Sequence, residues 1–218
     1  MAKIGSTTKR ALDLVTSALA FILLSLPFTA IALAIKLDGR GPVFFRQIRI
    51  GRGGKPFRVW KFRTMSVMEV SPEGPDLLSR GDPRITRVGR LLRNLGLDEL
   101  PQLLNVLAGD MSLVGPRPTL AYQVDRYDAF QRRRLELRPG ITSLAVVSGR
   151  NAISWEERIR LDVWYVDHRS LGLDLRILVK TLWKVLVTRE GLYGPDGSND
   201  PFVGADGTST QRQEKGSA

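Results

Sequence analysis

Cysteine is absent from the 218 residues, and histidine occurs once, at His168. The first absence excludes disulfides, thiolate metal sites and thiol nucleophiles, and it suits a body exposed to the cytosol. The second excludes multi-histidine metal clusters, and His168, within Asp167-His168-Arg169, reads as a surface residue. Acidic residues are scarce beside basic ones, 22 against 33, leaving a net charge of +11. That balance points to an anionic partner, whether nucleic acid, acidic lipid or a phosphorylated substrate. The length suits one catalytic unit with appendages, and no internal repeat is evident.

Charge is missing altogether between Leu14 and Ile35, a run of 22 residues flanked by Lys9 and Arg10 before and by Lys36 and Arg40 after. At about 1.5 Å per residue, a helix of that length reaches across a bilayer core. Ala32-Leu33-Ala34 imitates a signal cleavage site, but the run exceeds the roughly 7–15 apolar residues of a signal core. Near its middle stand Ser25 and Pro27, and a proline there predicts a kink or a break. A straight span would leave one basic flank on the far side, against the positive-inside rule. A re-entrant hairpin keeps both flanks together at the cost of broken backbone hydrogen bonds in lipid, which Ser25 can soften. On these grounds alone the span and the hairpin stand level.

Beyond Gly41-Pro42, two short strands are expected, one from Val43-Phe44-Phe45 and one over residues 57–63, joined by the turn Gly51-Arg52-Gly53-Gly54. The turn is no phosphate loop, because Lys55 is followed by Pro56 and the GxxxxGK spacing is missing. Residues 66–82 read as a loop. Arg84, Arg87, Arg90 and Arg93 then recur every third residue, a stripe suited equally to phosphates and to a solvated or headgroup-facing surface. Leu100, Leu103, Leu104 and Leu107 have the spacing of a helix buried on one face, with Pro101 in its first turn. Asp98 and Glu99 fall at or just before its start, where free N–H groups favour carboxylates and phosphates. On that segment alone they read as capping acids more readily than as catalytic ones.

Gly109-Asp110 ends this helix, and Val114-Gly115-Pro116-Arg117-Pro118 is a rigid turn presenting one arginine. Arg132, Arg133, Arg134 and Arg138 add charge, and residues 141–147 suit a strand or a buried loop. Ser154-Trp155-Glu156-Glu157 is a capping box opening a helix through Val166. After it, Leu171, Leu175, Leu178, Val179, Leu182, Val185 and Leu186 share one apolar face opposite Arg176, Lys180 and Lys184. That pattern fits an interfacial helix, with Trp183 at its boundary, or a helix packed on the core. Residues 191–218 read as a loose tail.

Taken in order, these segments resemble the bacterial sugar transferases, the monotopic phosphoglycosyl transferases that prime glycan assembly on undecaprenyl phosphate. The resemblance runs from Lys9 to about Val187. Its carriers are Lys9-Arg10 with Asp13, Gly41-Pro42-Val43-Phe44-Phe45-Arg46-Gln47, Lys61-Phe62-Arg63-Thr64-Met65 and Leu97-Asp98-Glu99-Leu100-Pro101-Gln102. Gly109-Asp110-Met111-Ser112, Val114-Gly115-Pro116-Arg117-Pro118, Arg138-Pro139-Gly140-Ile141-Thr142 and Gly149-Arg150-Asn151 complete the series.

The resemblance implies an α+β, mainly helical protein in three parts. These are a re-entrant membrane helix over 1–40 broken at Ser25 and Pro27, a compact cytosolic catalytic domain over 41–190 with a short β-hairpin and interfacial amphipathic helices, and a tail over 191–218. It implies transfer of a sugar 1-phosphate from a UDP-sugar to undecaprenyl phosphate at the cytosolic face of the bacterial inner membrane, as the first membrane step of glycan assembly. Asp98 is then the nucleophile that carries a covalent phosphosugar, and Glu99 a ligand of Mg²⁺, with both acids in reach of the ion. Arg117, Arg84, Arg87, Arg90, Lys61, Arg63, Arg138, Arg150 and Asn151 are the expected phosphate and substrate contacts. Donor, lipid acceptor and membrane lipid are the expected partners, with no nucleic acid, and a homo-oligomer stays open. Thr142-Ser143-Leu144-Ala145-Val146-Val147-Ser148-Gly149 departs from the family's Thr-Gly-Trp-Ala-Gln-Val-Asn-Gly, so an aromatic and two amides that contact the donor or shape its pocket are replaced. The rival reading is a membrane-tethered basic module for acidic lipid or nucleic acid, and a non-catalytic scaffold is a third.

Overall fold

The computed structural model describes residues 5–66, 82–149 and 152–185. It opens on two helices, α1 (Ser6–Leu23) and α2 (Ser25–Asp38), bent by 61° at Leu24. Among the described residues no single helix is long and apolar enough to cross a membrane; only this bent pair passes that test of length and composition. The break falls just ahead of Pro27, which lies in the first turn of α2. An N–H in that turn has no intrahelical acceptor, so proline there forfeits nothing. The carbonyl of Ser25 accepts from the Thr29 hydroxyl at 3.0 Å. The leucines around the bend are bare, Leu23 and Leu26 each 78% exposed.

Both ends of the bent pair are tied to the rest of the protein. Lys9 donates to Asp174 at 2.7 Å, and Arg10 donates to the carbonyls of Val106 at 2.6 Å and Leu107 at 3.2 Å. At the other end, the Arg63 guanidinium donates to the carbonyls of Ile35 (2.9 Å), Gly39 (2.7 Å) and Arg40. These are the orphan acceptors of a helix C-terminus. Asp38 accepts from the backbone of Val88 at 2.9 Å.

Strands β1 (Phe44–Ile50) and β2 (Pro56–Phe62) form the expected antiparallel hairpin, with Phe44 opposite Phe62. Helix α3 (Arg87–Leu95) follows, capped by the Thr86 hydroxyl. Arg84 therefore precedes the helix and does not join the arginine stripe; it pairs with Asp82 at 2.7 Å. Gly96, at φ 67°, turns the chain into a single 3-10 turn, Leu97–Glu99. Glycine takes that left-handed backbone without a Cβ penalty.

Helix α4 (Gln102–Ala108) begins after Pro101 and stops at Gly109. It is buried on Gln102, Leu103, Asn105 and Val106, a wider surface than the leucine spacing implied, because both α1 and β2 pack on it. Asn105 replaces a missing sheet partner for β2: its Oδ1 accepts from Trp60 N at 3.0 Å, and its Nδ2 donates to Arg58 O at 2.7 Å. Strand β3 (Ser112–Val114) follows, then short helices α5 (Ala121–Asp125) and α6 (Ala129–Arg132), a 3-10 turn over Arg133–Glu136, and β4 (Gly140–Thr142), parallel to β3.

Helices α7 (Leu144–Ser148), α8 (Trp155–His168) and α9 (Leu171–Trp183) close the described chain. The region left open between strand and loop thus contributes a strand and then a helix, which Ser143 caps through Val146 N at 3.1 Å. Ser154 caps α8 through Glu157 N, as its capping box predicts. On α9 the wide apolar face divides. Leu178 packs against the buried cluster of Val114, Val147, Tyr165 and Ile177, whereas Leu171, Leu175, Val179 and Leu182 are exposed, as is Trp183. The described residues are mainly helical with two small sheets, in agreement with the α+β expectation.

Candidate active site

The turn over Leu97–Glu99 sets two adjacent carboxylates between α3 and α4, facing the hairpin. Glu99 Oε1 accepts from Lys61 Nζ at 3.0 Å and from Arg117 Nη2 at 2.5 Å. Lys61 reaches it from the end of β2, and Arg117 from the turn after β3. All three side chains are largely enclosed, 15% exposed for Glu99, 25% for Lys61 and 27% for Arg117, so their charges interact with little screening. Burial alone would weaken the Arg117 charge, but the carboxylate of Glu99, helped by Asp98, overrides it and raises the guanidinium pKa. Asp98 is thus within the electrostatic reach of Arg117.

Arg117 is held at three places. Its Nη1 donates to the carbonyl of Ile141, and its own carbonyl accepts from Arg134 at 3.2 Å. Its backbone N–H is bonded by Asp162, which also pairs with Arg134. Arg134 donates further to the Tyr127 hydroxyl at 2.6 Å. Arg134 and Asp162 are 2% and 1% exposed, a buried pair whose loss on one side would strand a charge. Gly115 and Gly140 let the two strands meet: a Cβ at Gly140 would lie 2.2 Å from Gly115 N. Sequence alone hid this support, because Arg134 stood in a run of arginines that read only as added charge.

Arg49 was also missed. It lies on β1 beside this cluster, donating to Gln47 Oε1 at 2.7 Å. Burial, and then the neighbouring Arg117, push its pKa below the usual arginine value, with Glu99 opposing. Its signal was alternation, since Gln47 and Arg49 share the strand face of Phe45, opposite that of Ile50.

The other expected contacts are dispersed. Arg87 and Arg90 are exposed on α3, and neither is bonded to Glu99, while Arg93 donates to the Thr64 hydroxyl at 2.8 Å. Arg63 is 6% exposed and caps α2, and Arg138 donates to Gly109 O at 2.8 Å at the far end of α4. Both satisfy helix carbonyls rather than meeting Glu99. Arg150 and Asn151 lie outside the described residues. Among those described, no three side chains of the Asp, Glu and His type gather as a metal cage. Ser143, where the family pattern has glycine, is 1% exposed and spends its hydroxyl on the α7 cap.

The model of the bacterial sugar transferase family matches residues 4–188. An uncharacterized sugar transferase of Bacillus subtilis (strain 168), EpsL, is 48% identical over 184 residues, covering 84% of this chain and 89% of that one. The UDP-glucose:undecaprenyl-phosphate glucose-1-phosphate transferase of Caulobacter vibrioides is 46% identical over 190 residues, covering 83% and 70%. The exopolysaccharide production protein ExoY of Rhizobium meliloti is 40% identical over 202 residues, covering 85% and 88%.

Proposed function

This chain belongs to the bacterial sugar transferase family, and we propose that it transfers a sugar 1-phosphate from a UDP-sugar to undecaprenyl phosphate, releasing UMP. The observation that carries this reading is the clamp of Lys61 and Arg117 on Glu99, with Asp98 adjacent. Two cations and two acids side by side suit a diphosphate that must be bound, attacked and split.

In the first step an Asp98 carboxylate oxygen attacks the phosphorus that bears the sugar. A phosphosugar–aspartyl bond forms, the P–O bond to the uridine phosphate breaks, and UMP leaves with the bonding electrons. In the second, a phosphate oxygen of the polyprenyl phosphate attacks the same phosphorus, and the Asp98 carboxylate is regenerated. Asp98 is assigned the attack, as the family resemblance implies, while Glu99 Oε1 holds the two cations in place beside it. Arg117 and Lys61 hold phosphate oxygens as charge develops on them.

Mg²⁺ takes one or two carboxylates together with substrate phosphate and water. Asp98 and Glu99 fit that donor set. Bound there, the ion would neutralise diphosphate charge and ease the departure of UMP.

The bent helix pair is proposed to enter and leave the membrane on one face. Supporting this, Lys9 and Arg10 at one end and Gly39 and Arg40 at the other are all bonded to the same folded body, while the leucines at the bend stay exposed. The exposed stripe of α9, Leu175, Val179 and Leu182 with Trp183, would lie in the headgroup region beside it. The positive flanks favour the cytosolic face of the inner membrane. Such seating brings a lipid acceptor to a site at headgroup level, for the first membrane step of a bacterial glycan.

The test supplies detergent-purified protein with Mg²⁺, undecaprenyl phosphate and a panel of UDP-sugars, UDP-glucose first, while UMP is measured. At least one donor should give UMP, and Asp98→Asn should cut the rate by roughly three orders of magnitude. No UMP from any donor, or an undiminished rate in Asp98→Asn, would sink the reading.

A further inference from the structure

A second basic cavity, of about 410 Å³, lies at the C-terminal end of α4, the end opposite Asp98 and Glu99. Besides Arg133, which pairs with acids of the wall, four arginines converge on it: Arg10 from α1, Arg52 from the hairpin turn, Arg138 from before β4 and Arg169 from between α8 and α9. Their charges are poorly offset. Arg10 donates to the Val106 and Leu107 carbonyls, and Arg138 donates through Nε to Gly109 O. Arg169 Nε is buried without a hydrogen-bond partner. Among the described residues Arg10, Arg52 and Arg138 form no ion pair with a carboxylate.

The acids on the cavity wall are paired with other residues of the wall, Lys9, Ser112 and Arg133, rather than with Arg10, Arg52 or Arg138. Asp13 accepts from Ser112 Oγ at 2.7 Å and pairs with Lys9 at 3.5 Å. Asp167 and Glu136 pair with Arg133, at 2.5 Å and 3.4 Å. Burial, then Arg10 and Arg52, push the Arg138 pKa below its usual value, with Asp13 alone opposing. Like charges held together at such a cost are relieved by a bound anion.

We propose that this cavity binds a phosphate ester, through the guanidinium groups of Arg10, Arg52 and Arg138. Guanidinium forks match phosphate oxygens in pairs, and the volume takes an ester substituent as well as the phosphate. The site is distinct from the transfer centre, since the length of α4, about 10 Å for seven residues, separates them. The same chemistry is offered by a free phosphate ester and by the headgroup of an anionic phospholipid.

Two arms separate these sources. The full chain in neutral detergent is titrated with glycerol 3-phosphate by calorimetry. In parallel it is placed in phosphatidylcholine nanodiscs with and without phosphatidylglycerol, and lipid retention is read by native mass spectrometry. Arg52 is exposed on a turn, so Arg52→Gln should keep the fold, and unchanged UMP release checks that it does. Binding in at least one arm should weaken about tenfold in Arg52→Gln, the effect of losing one charge-assisted contact, and stay unchanged in Arg117→Ala. Arg138→Gln should weaken it likewise. Response in the first arm identifies a free ester as ligand, and response in the second alone a lipid headgroup. No binding in either arm, binding insensitive to Arg52→Gln, or binding lost with Arg117→Ala each overturns the proposal.

Discussion

At the scale of single residues, the site rests on the difference between arginine and lysine. Arg117 reaches Glu99 through one terminal nitrogen and the Ile141 carbonyl through the other, a fork that an ammonium group does not reproduce. Arg117→Lys keeps the charge and loses the geometry. Steady-state UMP release should fall by about 10²-fold, the usual cost of removing one positioned donor to a developing charge. An undiminished rate in Arg117→Lys would show that the charge suffices without the fork. The adjacent acids and the Pro116-Arg117-Pro118 turn were legible in the sequence because motif and spacing are local. The Arg134–Asp162 pair behind them was not, since 28 positions separate its members and only the fold brings them together.

At the scale of elements, α4 carries the site because it is docked in a fixed register on β2. Asn105, 1% exposed, bonds both Trp60 N and Arg58 O, and Lys61 follows on the same strand. Asn105→Ala leaves two backbone groups without partners and should cost about 1–3 kcal/mol, read as a lower Tm, with UMP release reduced because Lys61 loses its fixed distance to Glu99. Asp38 couples α2 to α3. A hydrogen bond from the Thr86 side chain, then the Val88 N–H and the charge of Arg87, hold its carboxyl below the ordinary 3.8. A depressed folded pKa stabilises the protein above the unfolded value and loses that stabilisation as pH falls through the folded one. Asp38→Asn, which keeps an acceptor and removes the charge, should therefore lower Tm at pH 7 and leave it near the parent's at pH 2. A Tm gap as wide at pH 2 as at pH 7 would refute the charge effect. Hairpin strands and α8 were readable from the glycine turn and the capping residues, whereas α4 starts one residue after Pro101 instead of holding it in the first turn. The division of the α9 face was not, because periodicity tells how wide an apolar face is and not which half meets a neighbour.

At the scale of the whole molecule, the proposed seating in a bilayer rests on the bent helix pair. With both ends bonded to one body, a cysteine at Ser6 and another at Lys55, each exposed, should label from the same side of sealed vesicles, this chain having no cysteine of its own. Labelling from opposite sides would restore a straight span.

Length of the apolar run, excess of basic charge, position of the acid pair and the presence of a break near Pro27 were determined by the sequence alone, since each depends on neighbours within a few residues. Tertiary structure alone decided which arginines lie beside the acid pair. Arg63 and Arg138 look as suited to a place beside the acid pair as Arg117, yet each lies away from it, where a helix ends and its carbonyls need donors. The acid pair that was ambiguous between capping and chemistry is given its setting by Lys61 and Arg117, which approach Glu99 from 38 and 18 positions away. Charges so distant in sequence meet only when packing has fixed the elements that carry them.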